Sequence, residues 1–439
     1  MDIHTLFENC KDKDKLLEVL KKKTDLNIQN INGDTIAMYA FKKYAYKEIL
    51  LEVLKQKPDL NIQNDNGDTF AICAFSNQDN KEILLEVLKQ KPDLNIQNND
   101  GNSVAICAFK YRDDKDVLLE LLNQKPNLNI QDQYGYTIAM CAFEYCYDKE
   151  VLLEILKQKP DLNIQNIYGD TISMIAFKYC NNKEILLEVL KQKPNLNIKN
   201  KDGYTVLMSI FKWCRDKDVL LEVLKQKPDL NIQNISGNTI VMFAFKYCRD
   251  KEILLEVLKQ KPDLNIKNDK GITVAMYAFK YCEDKEVLLE LLKQKSDLNI
   301  RNFFGYTISM YAFLNCSDKE VLLELLKLKS DLNIRNFFGY TISMYAFLNC
   351  SDKEVLLELL KLKPDLTFVN NDDYSALDFA LEYYTKSPNF EFDILEKLYD
   401  ENCKQDKQLF NPEYIKLRNK YKVLPLILFR HQNRYGDKN

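Results

Sequence analysis

A chain of 439 residues with a formal net charge of −3 carries no strong global field, and it reads as soluble. No stretch approaches the roughly 18 consecutive apolar residues of a membrane span, and the opening MDIHTLFENCKDKDK lacks a basic leader with an apolar core. The only histidines, His4 and His431, stand at opposite ends and no C-x-x-C pair occurs, which argues against a zinc site.

From the N-terminus, residues 1–24 place Leu6, Phe7, Leu16, Leu17, Val19 and Leu20 so as to form a helix pair without a preceding arm, a capping half-repeat. A strict repeat follows. Ten of the eleven glycines, from Gly33 to Gly339, fall 34 residues apart, and Met38, Met140, Met174, Met208, Met242, Met276, Met310 and Met344 share one column of the same period. Ten units therefore fill residues 25–364. Residues 297–330 and 331–364 differ only at Ser330 versus Pro364, the mark of a tandem duplication.

Within a unit, as at residues 59–92, DLNIQNDNGDT predicts an extended arm turning at Gly67, where a positive φ is free of strain. Thr69 is placed to cap a short helix with apolar Phe70, Ile72, Cys73, Ala74 and Phe75. A polar loop leads to a second helix whose Leu84, Leu85, Val87 and Leu88 face the stack before Pro92 ends it. The recurring Asp-Lys-Glu, as at Asp148, Lys149 and Glu150, resembles a catalytic acid pair but fits capping better, because it recurs in nearly every unit whereas an active site is needed once. Ten of the twelve cysteines fall into two columns of the same period, Cys146 to Cys350 and Cys73 to Cys141. Equivalent residues in stacked helices lie roughly 8–10 Å apart, too far for disulfides, so buried free thiols and a reducing compartment are expected.

These features resemble the ankyrin repeat. Asn61, Asn64, Asn66, Gly67, Thr69, Ala74, Asp93, Leu94 and Asn95 occupy that family's arm and first-helix positions, while its T-P-L-H tetrad is T-I-A-M or T-I-S-M here, its interhelical glycine is missing, and the unit is one residue longer. The 34-residue tetratricopeptide unit is nearly all helix and fails on the arm. The resemblance implies a mainly α, elongated, curved solenoid of helix-turn-helix units with β-hairpin arms. It implies a monomeric, cytoplasmic protein-protein interaction scaffold, in its own cell or a host's, with no cofactor, metal or enzyme activity. Its concave side, formed by arm tips and first helices, would take a protein partner. On that side the sequence places Lys178, Tyr179, Lys212, Trp213, Lys246, Tyr247, Lys280 and Tyr281 on first helices, and Phe303, Phe304, Phe337 and Phe338 at arm tips. A polyanion or nucleic-acid binder using the same Lys-aromatic stripe together with the basic C-terminal tail is the alternative.

At the C-terminus, residues 365–403 form a worn capping repeat in which Asp373 replaces the glycine, Ser375 replaces Thr, and Asp393 to Tyr399 supply the second helix. Residues 404–439 hold nine Lys or Arg against three Asp or Glu, a basic tail expected to fold as a helix (Pro412 to Lys422) onto the acidic stack. Leu424-Pro425 is similar to the start of the F-box-like segments that end some viral ankyrin proteins and recruit ubiquitin ligases, but too few residues follow it for the helices such a segment needs.

Overall fold

A computed structural model describes residues 7, 10, 12–22, 25–44, 46–294, 296–386 and 392–405. They form a helical repeat of 34-residue period, with 23 helices among the described residues; within each of two bodies, a helix packs on its counterparts in the neighbouring units. The chain divides into two compact bodies, Met1–Pro228 and Asp229–Asn439. The tail helix expected at 412–422 and the Leu424-Pro425 pair lie outside the described residues.

The unit of residues 127–160 shows why this sequence folds as it does. Thr137 starts the first helix, Ile138–Tyr145, its hydroxyl accepting a hydrogen bond from the Met140 amide at 3.2 Å. Six of this helix's residues, Ile138 through Phe143, are buried, because flanking units cover both of its sides. The second helix, Lys149–Lys157, buries only Val151, Leu152, Ile155 and Leu156, one stripe of helical spacing. Asp148 caps it by accepting from the Glu150 and Val151 amides at 2.9 and 3.1 Å, which is the capping role expected of the Asp-Lys-Glu run. Gln158 closes the helix and donates from Nε2 to the Leu122 carbonyl of the preceding unit at 2.9 Å. Lys159 follows at φ +54°, a left-handed position that glycine usually fills.

The arms contain no strand among the described residues. Each is a tight turn, in most units closed by one isolated antiparallel bridge, such as Gln131 to Thr137 or Lys267 to Thr273. Asp132 and its Asn equivalents organise the turn by accepting from the amides two and four residues on, at 2.9 and 2.8 Å for Tyr134 and Tyr136. Successive arms are stitched by a single backbone bond, as from the Gln133 amide to the Asp100 carbonyl (2.9 Å) and from Phe337 to Phe304 (2.9 Å). The glycine column follows from this close approach: at Gly101 (φ +76°) a Cβ would lie 2.9 Å from the backbone of Asp132 in the next arm.

At its start, the first body sets the buried Phe7 under Tyr44, whose hydroxyl donates to the Phe7 and Cys10 carbonyls. In the second body the last unit keeps the frame with substitutes. Asp373 takes the glycine's place at φ +62°, and Ser375 caps the helix Ala376–Lys386 reciprocally with Asp378. Its second helix, Phe392–Gln405, is longer than the expected 393–399 and runs through the expected boundary at 403/404. Gln405 explains the extension, because its side chain bonds both the Pro364 carbonyl (2.9 Å) and the Leu366 amide (2.8 Å) and ties the helix end to the arm.

Candidate partner-binding face

The frame residues satisfy one another, so the side chains free to differ between units fall at the end of the first helix and at the arm tip. In the first body, the column that begins at Lys42 starts with two compensated lysines. Lys42 meets Asp34 at 2.7 Å, and Lys110 meets Asp132 at 2.7 Å and Asn102 at 3.0 Å. Burial pulls both ammonium groups down, but the carboxylate hydrogen bonds and neighbouring charges outweigh it and hold them above the usual lysine value. Glu144 then replaces the lysine. Burial pushes its carboxyl up, against the opposing pull of Lys178 and of the Tyr136 and Tyr145 hydroxyls.

Lys178 and Lys212 follow, each against aromatic rings. The Lys178 ammonium lies 4.7 Å from the Tyr179 ring centre, while that of Lys212 lies 4.8 Å from Trp213 and 5.2 Å from Tyr204. Trp213 is 47% exposed. Together with Glu144, Asp170 and Asn200 these groups line a concavity of about 230 Å³ that is more polar than apolar. A larger concavity of about 700 Å³ is lined by second-helix ends and the residues that follow them, among them Pro126, Asn127, Lys157 and Pro160. Its walls are frame residues found in unit after unit, so its size reflects the packing of second-helix ends and carries no individual chemistry.

In the second body the pattern changes. Lys246 and Lys280 lie 4.9 and 5.3 Å from the Tyr247 and Tyr281 rings, and the Tyr247 hydroxyl raises the Lys246 ammonium. The next two units carry Leu314 and Leu348 in the lysine column. Phe303, Phe304, Phe337 and Phe338 stand at consecutive arm tips, between 49% and 65% exposed. All twelve residues expected on this face are thus at the first-helix end or the arm tip, four first-helix residues and none of the arm-tip phenylalanines in the first body, and the remaining eight in the second.

The sequence reading missed a further set of aromatics between them. Tyr306 packs on Tyr311, Tyr345 and Phe338 with ring centres 5.8 to 6.4 Å apart, and Tyr340 stacks on Tyr345 and Phe379 at 5.1 and 5.5 Å. The Asn302 and Asn336 side-chain amides donate to the Tyr311 and Tyr345 hydroxyls at 3.1 and 2.9 Å, fixing the rings. Their signal was available as two columns that become continuously aromatic only late in the chain: Tyr306, Tyr340 and Tyr374 close one in which Asp34, Asp68 and Asp170 mix with Tyr136 and Tyr204, and Phe243, Tyr277, Tyr311 and Tyr345 close the other, where Tyr39 is followed by Cys73, Cys107 and Cys141.

Free thiols lie under the same face in the first body. Burial pushes Cys73, Cys107 and Cys141 up to about 12, 11 and 12, leaving them without nucleophilic character at neutral pH. No helix of the described residues is long and apolar enough to cross a membrane. The chain matches no protein-family model, and no curated protein matches it. It is a helical repeat protein whose variable columns lie at the arm tips and first-helix ends.

Proposed function

We propose that this chain is an ankyrin-type interaction scaffold that holds a protein partner on the face formed by its arm turns and first-helix ends. The observation that supports this reading most is the contrast between columns. Capping Thr, Asp and Asn, the glycine turns and the glutamine bonds between units recur along the chain, whereas the arm-tip and first-helix-end residues vary and include large exposed aromatics. Exposed Phe side chains, two at each of two consecutive arm tips, are not needed by the repeating frame, and aromatics beside cations supply the anchors common at protein interfaces. No catalytic role is assigned to any residue, and the expected working place is a reducing compartment, the cytoplasm.

A photo-crosslinking amino acid at Tyr281 or Trp213 in the full chain, compared with one at Lys225 on an exposed second helix, tests this in cell extract. Covalent capture of the same protein at both face positions and not at Lys225 is expected; equal capture at all three removes the face from consideration. The second reading, a polyanion binder, rests on Lys178, Lys212, Lys246 and Lys280 lying against rings, as single-stranded nucleic acid would require. It predicts affinity that falls steeply with salt, where a protein partner held by aromatic contacts gives a shallow response.

A further inference from the structure

The lysine column is not one feature repeated. In the first body the arm residues facing it include Asp34 and Asp132, and Lys42 and Lys110 form ion pairs with them. In the second body the positions equivalent to Asp34 carry Asn238, Ile272, Tyr306 and Tyr340, and those equivalent to Asp132 carry Asn234, Asn268, Asn302 and Asn336. No ion pair reaches Lys246 or Lys280 among the described residues; their ammonium groups rest on tyrosine rings alone. An ammonium on a ring keeps most of its charge available to an incoming anion, whereas one paired to a buried carboxylate does not.

Beyond these two lysines, along the same face, the charge ends and an aromatic surface begins. Leu314 and Leu348 replace the lysines, and Phe304, Tyr311 and Phe338 lie among half-buried or exposed rings. The arm tips here are joined backbone to backbone, from the Phe303 amide to the Lys270 carbonyl at 3.0 Å and onward to Phe337. One half of the face in this body is therefore cationic and uncompensated, and the other half is apolar and ordered.

Resting on the scaffold reading above, we infer that the second body binds an extended peptide with one acidic half and one apolar half, its carboxylates on Lys246 and Lys280 and its aliphatic or aromatic side chains on the Phe303, Phe304, Phe337 and Phe338 tips. Charge complementarity selects this occupant. A basic peptide would meet two unpaired lysines, a uniformly acidic one would leave the aromatic half in water, and a nucleic acid would find no cation in the last two lysine-column positions. With neighbouring helices about 8–10 Å apart, three steps from the seventh to the tenth unit span roughly 27 Å. An extended segment of about eight residues covers that distance.

Fluorescence polarisation with the full chain and labelled probes of about twelve residues is the test. One probe carries Glu and Asp followed by Leu and Phe; a second reverses that order; a third exchanges the acids for Lys; a fourth exchanges the apolar residues for Ser; a single-stranded oligodeoxythymidine of equal length completes the set. One of the first two is expected to bind about tenfold or more tightly than every other probe. K246E/K280E and F303S/F304S/F337S/F338S are each expected to lose about tenfold of that affinity, while K225E/K259E on the second helices loses none. All substituted positions are at the surface, and an unchanged circular dichroism spectrum confirms folding. Equal affinity for the first four probes, or unchanged affinity in both face variants, overturns the inference. If crosslinking at Tyr281 still captures a protein in that event, the scaffold reading stands and only the partner's chemistry falls; tighter binding of the oligonucleotide removes both.

Discussion

Replacing Lys110 by alanine perturbs the most buried ion pair of the first body. The Asp132 side chain is 1% exposed and that of Lys110 19%, and the ammonium bonds both Asp132 Oδ2 (2.7 Å) and Asn102 Oδ1 (3.0 Å). Breaking a fully buried pair costs about 3–5 kcal/mol by leaving a charge uncompensated. Here Asp132 Oδ1 keeps two backbone amides, and truncating Lys110 lets water reach the carboxylate, so K110A is expected to destabilise by about 2 kcal/mol. The repeat supplies its own control. In the unit where Asn268 stands in the Asp132 position, its Nδ2 donates to Asn238 Oδ1 at 2.8 Å with no lysine involved. D132N combined with K110A recreates that wiring toward Asn102, and the pair of changes is expected to restore all but about 0.5 kcal/mol. Because a solenoid opens by segments, the measurement is native-state hydrogen exchange over residues 98–145, where 2 kcal/mol is roughly a thirtyfold faster exchange. Equal acceleration in K110A and in the double variant, or none in K110A, refutes the account.

The same pair sets an alkaline limit. Since Lys110 is held above its ordinary value in the folded state, its contribution is complete below a pH of about 10.4 and is lost as the pH rises through the raised value; K110A/D132N should unfold less readily with alkali relative to its neutral stability. Lys159 at φ +54° carries a left-handed strain of about 1 kcal/mol, so K159G should raise the urea midpoint slightly, and an unchanged or lower midpoint counts against the strain. Leu362 stands where Gln158 bonds the preceding unit, and L362Q should gain about 1 kcal/mol through the Leu326 carbonyl, read as slower exchange of residues 355–363. Cys73 and Cys141, raised to about 12, are thiolate in roughly one molecule in 10⁴ at pH 8, so iodoacetamide should label them far more slowly than in urea; comparable rates would place them at the surface.

Much of this architecture could be read from residue order alone. A 34-residue period fixed by glycines that alone accept both the positive φ and the approach of the next arm, Thr and Asp at helix starts, and an apolar stripe on the second helix are local requirements, and local chemistry dictates them, although the stripe buries Ile83 with Leu84, Val87 and Leu88 and leaves the expected Leu85 half-buried. The arm tips and first-helix ends were legible for the same reason, as columns that vary within an invariant frame. Only the tertiary structure decided the relation between columns. Whether Lys110 is spent on Asp132 while Lys246 rests only on Tyr247 depends on residues 22 or more positions away or on their absence, and the period places these columns side by side without saying which atoms meet. The aromatic set of Tyr306, Tyr340 and Tyr345 emerged the same way, from rings contributed by different units. Nearest-neighbour sequence chemistry made the frame; through-space distances between units decided where charge is cancelled and where it is left for a partner.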